Sequence, residues 1–251
     1  YKANIENILI ENITLSLDNS EVVVVPGFQG ITQDNRITTL GRGGSDTTAV
    51  AIAAALKAER CDIYTDVDGI YTADPRMVPK AKKLVKISYE EMLEMASQGA
   101  KVLQTRSVAL AMKYKLKINV LSSFENKQGT FVVDEEEIME KNIVSGIAFS
   151  LEEAKLTVVG LPDKPGQASK LFSSLGSKAI NVDMIVQSAS ADLQKTDITF
   201  SLARVDLDKA ARDLTKLKDV LAFEKLVYDN NIAKISVIGT AMRTQSGIAK
   251  L

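Results

Sequence analysis

The sequence contains no histidine and a single cysteine. Any acid–base or charge-stabilising chemistry must therefore use Asp, Glu, Lys or Arg, and zinc sites of the usual Cys/His type are excluded. The lone Cys61 rules out an intrachain disulfide framework and fits a reducing cytoplasm. It lies beside an apparent core strand, where a buried, inert thiol is expected. No apolar run approaches the length needed to span a bilayer, so no membrane partner is expected. The net charge is −1, and no basic field points to nucleic acid. Residue 1 is tyrosine rather than an initiator methionine, and no signal-peptide pattern follows. Leu251 falls inside an apparent helix beginning near Ser246, so an internal piece of a longer protein is expected.

What is present is concentrated in Gly41-Arg42-Gly43-Gly44-Ser45-Asp46-Thr47-Thr48, which runs into the alanine-rich segment 49–56. Glycines without Cβ atoms let a backbone approach a ligand closely. Ser45 and Asp46 stand where a helix N-cap belongs. The free N–H groups and positive end of that helix favour an anion. Arg42 adds a planar donor fork suited to carboxylate or phosphate. A strand-to-helix turn needing only flexibility would carry the same glycines.

Two other segments bear on the choice. Thr65-Asp66-Val67-Asp68-Gly69-Ile70-Tyr71-Thr72-Ala73-Asp74-Pro75-Arg76 follows an apparent strand and holds Asp-Gly and Asp-Pro turn signals. Loops at the C-terminal ends of strands in open α/β sheets are where ligands bind. An EF-hand reading fails on spacing. With Gly69 at the sixth position the first is Tyr64 and the twelfth Pro75, neither a carboxylate. Gly99-Ala100-Lys101-Val102-Leu103 places a lysine at the start of an expected helix over 101–114, where an acid is usual. A solvated charge explains it equally well unless an anion sits nearby.

Coarse patterning alternates strands and helices, which indicates an α/β parallel sheet. Val22-Val23-Val24-Val25 reads as a buried parallel strand. A helix follows over 46–58, a strand over 62–65, a helix near 88–97 with Tyr89, Met92, Leu93 and Ala96 on one face, and a strand over 118–121. Asp134-Glu135-Glu136-Glu137 reads as a solvated acidic run near a domain boundary. Beyond it the order is strand 155–160, helix 166–177, strand 180–188, strand 195–204, helix 206–217, strand 221–228, the βαββαβ pattern of ferredoxin-like domains. Ala154-Lys155-Leu156-Thr157-Val158-Val159-Gly160 recurs as Ala233-Lys234-Ile235-Ser236-Val237-Ile238-Gly239. A repeat this long indicates duplicated small domains. The second copy supplies a first strand and part of a helix, Gly247-Ile248-Ala249-Lys250-Leu251.

Pro26-Gly27-Phe28-Gln29-Gly30, Thr39 through Asp46, Thr65 through Arg76, Ile87 through Met92, Gly99 through Leu103 and Arg106-Ser107-Val108 occur in an order that resembles aspartate kinase, a member of the amino-acid kinase family. Asp163-Lys164-Pro165-Gly166 and Asn181 through Gln187 are similar to that family's regulatory ACT domain. The resemblance covers nearly the whole chain. It implies that 1–130 is the C-terminal part of the kinase domain, 131–153 a linker, 154–230 one ACT domain and 231–251 the start of another. It implies ATP with Mg²⁺ and L-aspartate as reactants. Arg42, Gly43, Gly44 and Ser45 would hold aspartate. Thr65, Asp66, Tyr71, Arg76, Lys101 and Val102 would form the nucleotide site. Asp46 would organise the catalytic cations and Lys101 would face the phosphates. Asp163, Lys164, Pro165, Gly166, Ala168, Asn181, Val182, Asp183 and Gln187 would bind an effector, lysine and/or threonine, and ACT regions would pair into a homo-oligomer. No metal-ligating residue is expected on the protein. The family's Lys-Phe-Gly-Gly segment has no match here, so this piece by itself is expected not to phosphorylate aspartate. Gln104-Thr105 replaces the His-Pro found in many members. A non-catalytic regulatory subunit that binds amino acids is the alternative, although such a subunit would not need the nucleotide-site motifs.

Overall fold

The computed structural model describes residues 3–100, 102–138, 143–189, 194–240 and 242. Its elements, in chain order, are α1 (Glu11–Asp18), β1 (Gln29–Ile31), β2 (Ile37–Thr39), α2 (Gly44–Ala55), β3 (Arg60–Thr65), β4 (Lys86–Ser88), α3 (Tyr89–Ser97), α4 (Thr105–Tyr114), β5 (Lys117–Ser122), β6 (Thr130–Val133), β7 (Gly146–Pro162), α5 (Gln167–Ser177), β8 (Val182–Ala189), β9 (Lys195–Ala203), α6 (Leu207–Lys216), α7 (Lys218–Leu221) and β10 (Lys225–Ile238). They form two compact units, residues 1–148 with 236–251, and 149–235. No helix among the described residues is long and apolar enough to cross a membrane.

The first unit is built on a four-stranded sheet of order β3-β5-β6-β4. Strands β3 and β5 are parallel, as are β4 and β6, while β5 and β6 run antiparallel. The expected parallel sheet is thus mixed, because β5 returns directly into β6 without a crossover helix. Ile118, Val120 and Val132 are fully buried and join Val50, Ile87, Tyr89, Met92 and Val108 in one core. Helix α3 starts where the sequence places it, because Ser88 and Glu91 form a reciprocal capping box. Cys61 is buried, and burial pushes its thiol up to about 11, so it stays protonated at neutral pH.

Three expectations fail here. Val22–Val25 is not a strand, and Val22 and Val24 are 92% and 88% exposed. A β-branched run becomes a buried strand only when neighbouring strands satisfy its backbone, and none of the described strands pairs with it. The N-cap of α2 is Gly43, not Ser45 or Asp46, which lie inside the first turn. Helix α4 begins at Thr105 rather than near residue 101, with Gln104 as its extended N-cap. The acidic run 135–137 forms a single 3-10 turn capped by Asp134.

The second unit contains β8, β9, α5, α6, α7 and most of β7 and β10. Its sheet has the order β10-β7-β9-β8, which is fourth-first-third-second in ferredoxin-like numbering. Strand β9 runs antiparallel to both β7 and β8. Leu156, Val158, Leu161, Phe200 and Leu202 point from the sheet toward Leu171, Leu175, Ala210 and Leu214 of the helices. Phe172 meets Phe200 edge-on at 5.5 Å between ring centres. The last strand differs from expectation. Residues 218–221 are a helical turn, and β10 runs unbroken from Lys225 to Ile238, through the point where the repeat was expected to begin. The helix expected from Ser246 lies outside the described residues.

Candidate functional site

The register of β3 against β5 places the site. Thr65 pairs with Ser122 at the C-terminal ends of two parallel strands. Helix α2 runs down into β3 and α4 runs down into β5. The N-termini of both helices therefore lie at that same sheet edge, the usual place for ligands in open α/β sheets. Helix α2 opens at Gly43, whose φ of 73° is left-handed. A Cβ there would lie 1.9 Å from Gln104 Cγ, so the Gln104 side chain covers the glycine directly. Only glycine permits both the conformation and this approach.

Asp46 joins the two helix ends. Burial raises its pKa above the usual carboxylate range, while backbone N–H groups of Gln104 and of Asp46 itself, hydrogen-bonded to the carboxylate, partly offset that rise. Arg106 Nη1 donates to the Leu40 carbonyl at 3.5 Å, a second tie between the glycine loop and α4. Phe28 N–H donates to Thr48 Oγ1 at 3.1 Å, and Leu40 N–H donates to the Phe28 carbonyl at 2.8 Å. The Pro26-Gly27-Phe28 turn is thereby held against α2. Gly44 is buried, Ser45 exposed, and Arg42 exposed with no ion pair to another described residue. Such an arginine is free to take an anionic ligand.

The segment after β3 supplies the other group. Thr65 Oγ1 donates to Asp66 Oδ1 at 3.1 Å. Tyr71 is half-buried and its hydroxyl donates to Asp68 Oδ1 at 2.9 Å. Arg76 is bound to Asp74 by its Nη2 at 2.9 Å and is mostly exposed. Val102 is half-buried beside the buried Leu103. Lys101 lies outside the described residues. Asp46 and the N-cap of α4 are therefore brought together, while the position of Lys101 in that constellation stays a proposal.

In the second unit a cleft of about 280 Å³ is lined by Asp163, Lys164, Pro165, Gly166 and Ala168 from the loop entering α5, by Gln187 of β8, and by Gln167 and Thr196 among others. Gly166 is the N-cap of α5, with no side chain capping the first turn, so helix N–H groups are open to an acceptor. Asn181, Val182 and Asp183 are not in its lining. Asn181 is exposed ahead of β8, Val182 packs on the core, and Asp183 binds Lys234 Nζ at 2.6 Å. That hydrogen bond from Lys234 holds the Asp183 carboxyl below its usual range. Sequence reasoning missed Gln167, whose buried Oε1 has no partner, and Thr196, which arrives from a separate strand. It also missed Gln104 as the cover of Gly43. An unusual residue at a helix N-cap was the only available signal.

Comparison with known proteins gives a family match in each part of the chain. Residues 1–122 match the amino acid kinase family and residues 156–217 match an ACT domain. Aspartate kinase of Pseudomonas putida is 51% identical over 249 residues, which is 99% of this chain and 60% of that protein. Aspartokinase of Mycolicibacterium smegmatis is also 51% identical, over 93% of this chain and 56% of its own. The chain thus spans about 60% of the length of the curated relatives it matches. Among solved structures, E. coli aspartokinase III in complex with aspartate and ADP superposes with a TM-score of 0.77 at 31% identity, over 96% of this chain and 54% of that one. The same enzyme in complex with lysine and aspartate gives a TM-score of 0.74 at 32% identity, over 92% and 51%.

Proposed function

The chain belongs to the aspartokinase group of the amino acid kinase family, and from that premise we propose that the protein transfers the γ-phosphoryl group of ATP to the β-carboxylate of L-aspartate. A carboxylate oxygen attacks the γ-phosphorus as the bond to the β–γ bridging oxygen breaks, giving 4-phospho-L-aspartate and ADP. Such a reaction needs positioning and charge neutralisation more than covalent help from the protein. That suits a chain with no histidine. The observation that supports this reading best is the junction of the α2 and α4 N-termini at one sheet edge, where Asp46 accepts from Gln104.

In this reading exposed Arg42 takes a carboxylate of aspartate, with Gly43, Gly44 and Ser45 around it. Thr65, Asp66, Tyr71, Arg76 and Val102 receive the nucleotide, with Lys101 directed at its phosphates. Among the described residues no three His, Cys, Asp or Glu side chains gather as a metal site. Mg²⁺ would come with the nucleotide and neutralise charge on its phosphate oxygens. The cleft at Asp163–Ala168 would receive lysine and/or threonine, its open helix N-terminus facing the carboxylate and Gln167 Oε1 offering an acceptor to an ammonium. This would constitute feedback in lysine and threonine biosynthesis. The enzyme would act in the cytoplasm.

Titration calorimetry of this chain with Mg-ADP and with L-aspartate tests the reading. Both ligands should bind, and Arg42→Ala should weaken aspartate by at least about tenfold, the loss of one charge-assisted bond, while leaving ADP unaffected. Absence of binding by either ligand to the unmodified chain would overturn the proposal.

A further inference from the structure

The segment between β3 and β4, residues 66–85, has little regular structure, yet Thr130 of β6 fixes its backbone. The Thr130 hydroxyl accepts from Ile70 N–H at 2.9 Å and donates to the Leu84 carbonyl at 2.6 Å. Gly69, at φ 147°, lies so close that a Cβ there would be 2.6 Å from Thr130 Oγ1. Leu84 N–H donates to the Ile70 carbonyl at 2.8 Å, and Tyr71 faces Lys83 in an isolated antiparallel bridge. The two ends of the segment are thus already closed into a bracket by backbone and Thr130 alone.

A second set of bonds sits on top of this bracket and is not needed to close it. Lys83 Nζ donates to Asp68 Oδ2 at 3.1 Å and to the Gln128 carbonyl at 2.7 Å. Asp68 Oδ1 accepts from the Tyr71 hydroxyl at 2.9 Å. The side chains of Lys83 and Asp68 are 28% and 24% exposed, so the pair is better shielded than an ordinary surface ion pair. Burial alone would raise Asp68, but the bonds from Tyr71 and Lys83 outweigh it and keep the carboxyl below its usual range. The Tyr71 phenol is in turn held above its usual range, first by its bond to Asp68 and then by burial, with Lys127 and Glu125 the other charges facing it. Both side-chain donors converge on the Asp68 carboxylate, which in turn fixes the Tyr71 hydroxyl.

We propose that Asp68 and Lys83 are positioning residues of the nucleotide site, which hold the Tyr71 ring in the orientation that receives ATP. The inference rests on the kinase reading above. A tyrosine pinned at its hydroxyl loses no further rotamer freedom when a flat heterocycle packs against it, and such preorganisation appears as affinity. Lys83 sets the position of Asp68, and Asp68 sets the position of Tyr71.

Calorimetric titration of this chain with Mg-ADP and with L-aspartate provides the test, on Asp68→Ala, Lys83→Met, Tyr71→Phe and the Asp68→Ala/Tyr71→Phe double variant. Each single change should weaken ADP about tenfold, the scale of one hydrogen bond to a charged group, and leave aspartate binding unchanged. The double variant should be no weaker than either single one, because both remove the same contact. Lys83→Arg, which keeps the charge, should recover most of the affinity. A spectrophotometric titration should show one phenol moving back toward its usual range in Asp68→Ala. Undiminished ADP affinity in Asp68→Ala, or equal losses for ADP and aspartate with a lowered melting temperature, would overturn the proposal and leave the pair a loop brace. Failure of the unmodified chain to bind ADP would overturn the kinase reading together with it.

Discussion

Asp46 shows most clearly how a single residue here is held at a cost to stability. Its carboxylate is pulled from water between two helix ends, and burial raises its pKa above the unfolded value near 3.8. The native state therefore binds this proton more tightly than the unfolded state does. Stability from this group is full below the ordinary carboxylate range and falls as pH rises through the raised folded pKa. At neutral pH the charged form is a net burden, the pattern seen where a group is retained for function. Asp46→Asn keeps an acceptor for Gln104 N–H and removes the charge. The variant should melt higher than the unmodified chain at pH 7, and the advantage should vanish as the pH drops below the usual carboxylate range. Equal melting at both pH values would mean that Asp46 is an ordinary helix acid. The sequence marked Asp46 as important but assigned it the wrong local part. It was expected to cap α2, whereas Gly43 does so with a left-handed backbone. A positive φ leaves its trace as a glycine, and three glycines in this loop offered no way to choose between them. The links from Gln104 to Gly43 and from Lys83 to Asp68 were invisible for a different reason. They join residues far apart in sequence through side chains with no periodic pattern.

Among the elements, α3 was legible because its start is written locally. Ser88 and Glu91 are three residues apart ahead of an apolar face, which is a complete capping signal. The βαββαβ order was legible for a similar reason, since alternation of two and of 3.6 residues identifies each element before any packing occurs. Val22–Val25 failed the same test because a strand, unlike a helix, needs its hydrogen-bond partners supplied by other segments. Glu91 also does more than the sequence indicated. It is 7% exposed and accepts from Ser88 N–H at 3.4 Å, from the Ser145 hydroxyl, and from Thr240 N–H at 3.3 Å. Ser145 directly precedes β7 and Thr240 follows β10, so this carboxylate ties both segments to the start of α3. Glu91→Ala should cost about 2–3 kcal/mol in urea unfolding, because a cap is lost and buried donors are left unpaired. Glu91→Gln, which still offers one acceptor, should cost less. A loss within about 0.5 kcal/mol for Glu91→Ala, the range of ordinary surface changes, would show that water replaces the carboxylate at no penalty.

At the scale of the whole molecule, the second unit ends in an edge strand with a conspicuous apolar surface. β8 lies last in the order β10-β7-β9-β8, and its Met184, Ile185 and Val186 side chains are 60%, 52% and 53% exposed. The β8–β9 register shifts between Asp183 and Val186, and Met184 has a φ of 42°. A bulge of this kind bends an edge and interrupts a long continuous ladder, which limits indefinite strand addition. The apolar side chains remain uncovered all the same, and burying each in a contact is worth about 1.5–3 kcal/mol. A closed two-fold pairing of second units, each covering the other's β8, would reconcile the two features. It would hide the apolar side chains and leave no free copy of the same edge for further growth. Sedimentation velocity should show a concentration-dependent dimer of this chain. Ile185→Lys should shift it to monomer without lowering the melting temperature, because residue 185 contributes nothing to either buried core. A strict monomer at high micromolar concentration would count against the pairing. A dimer that persists in Ile185→Lys would place the interface on a surface other than β8.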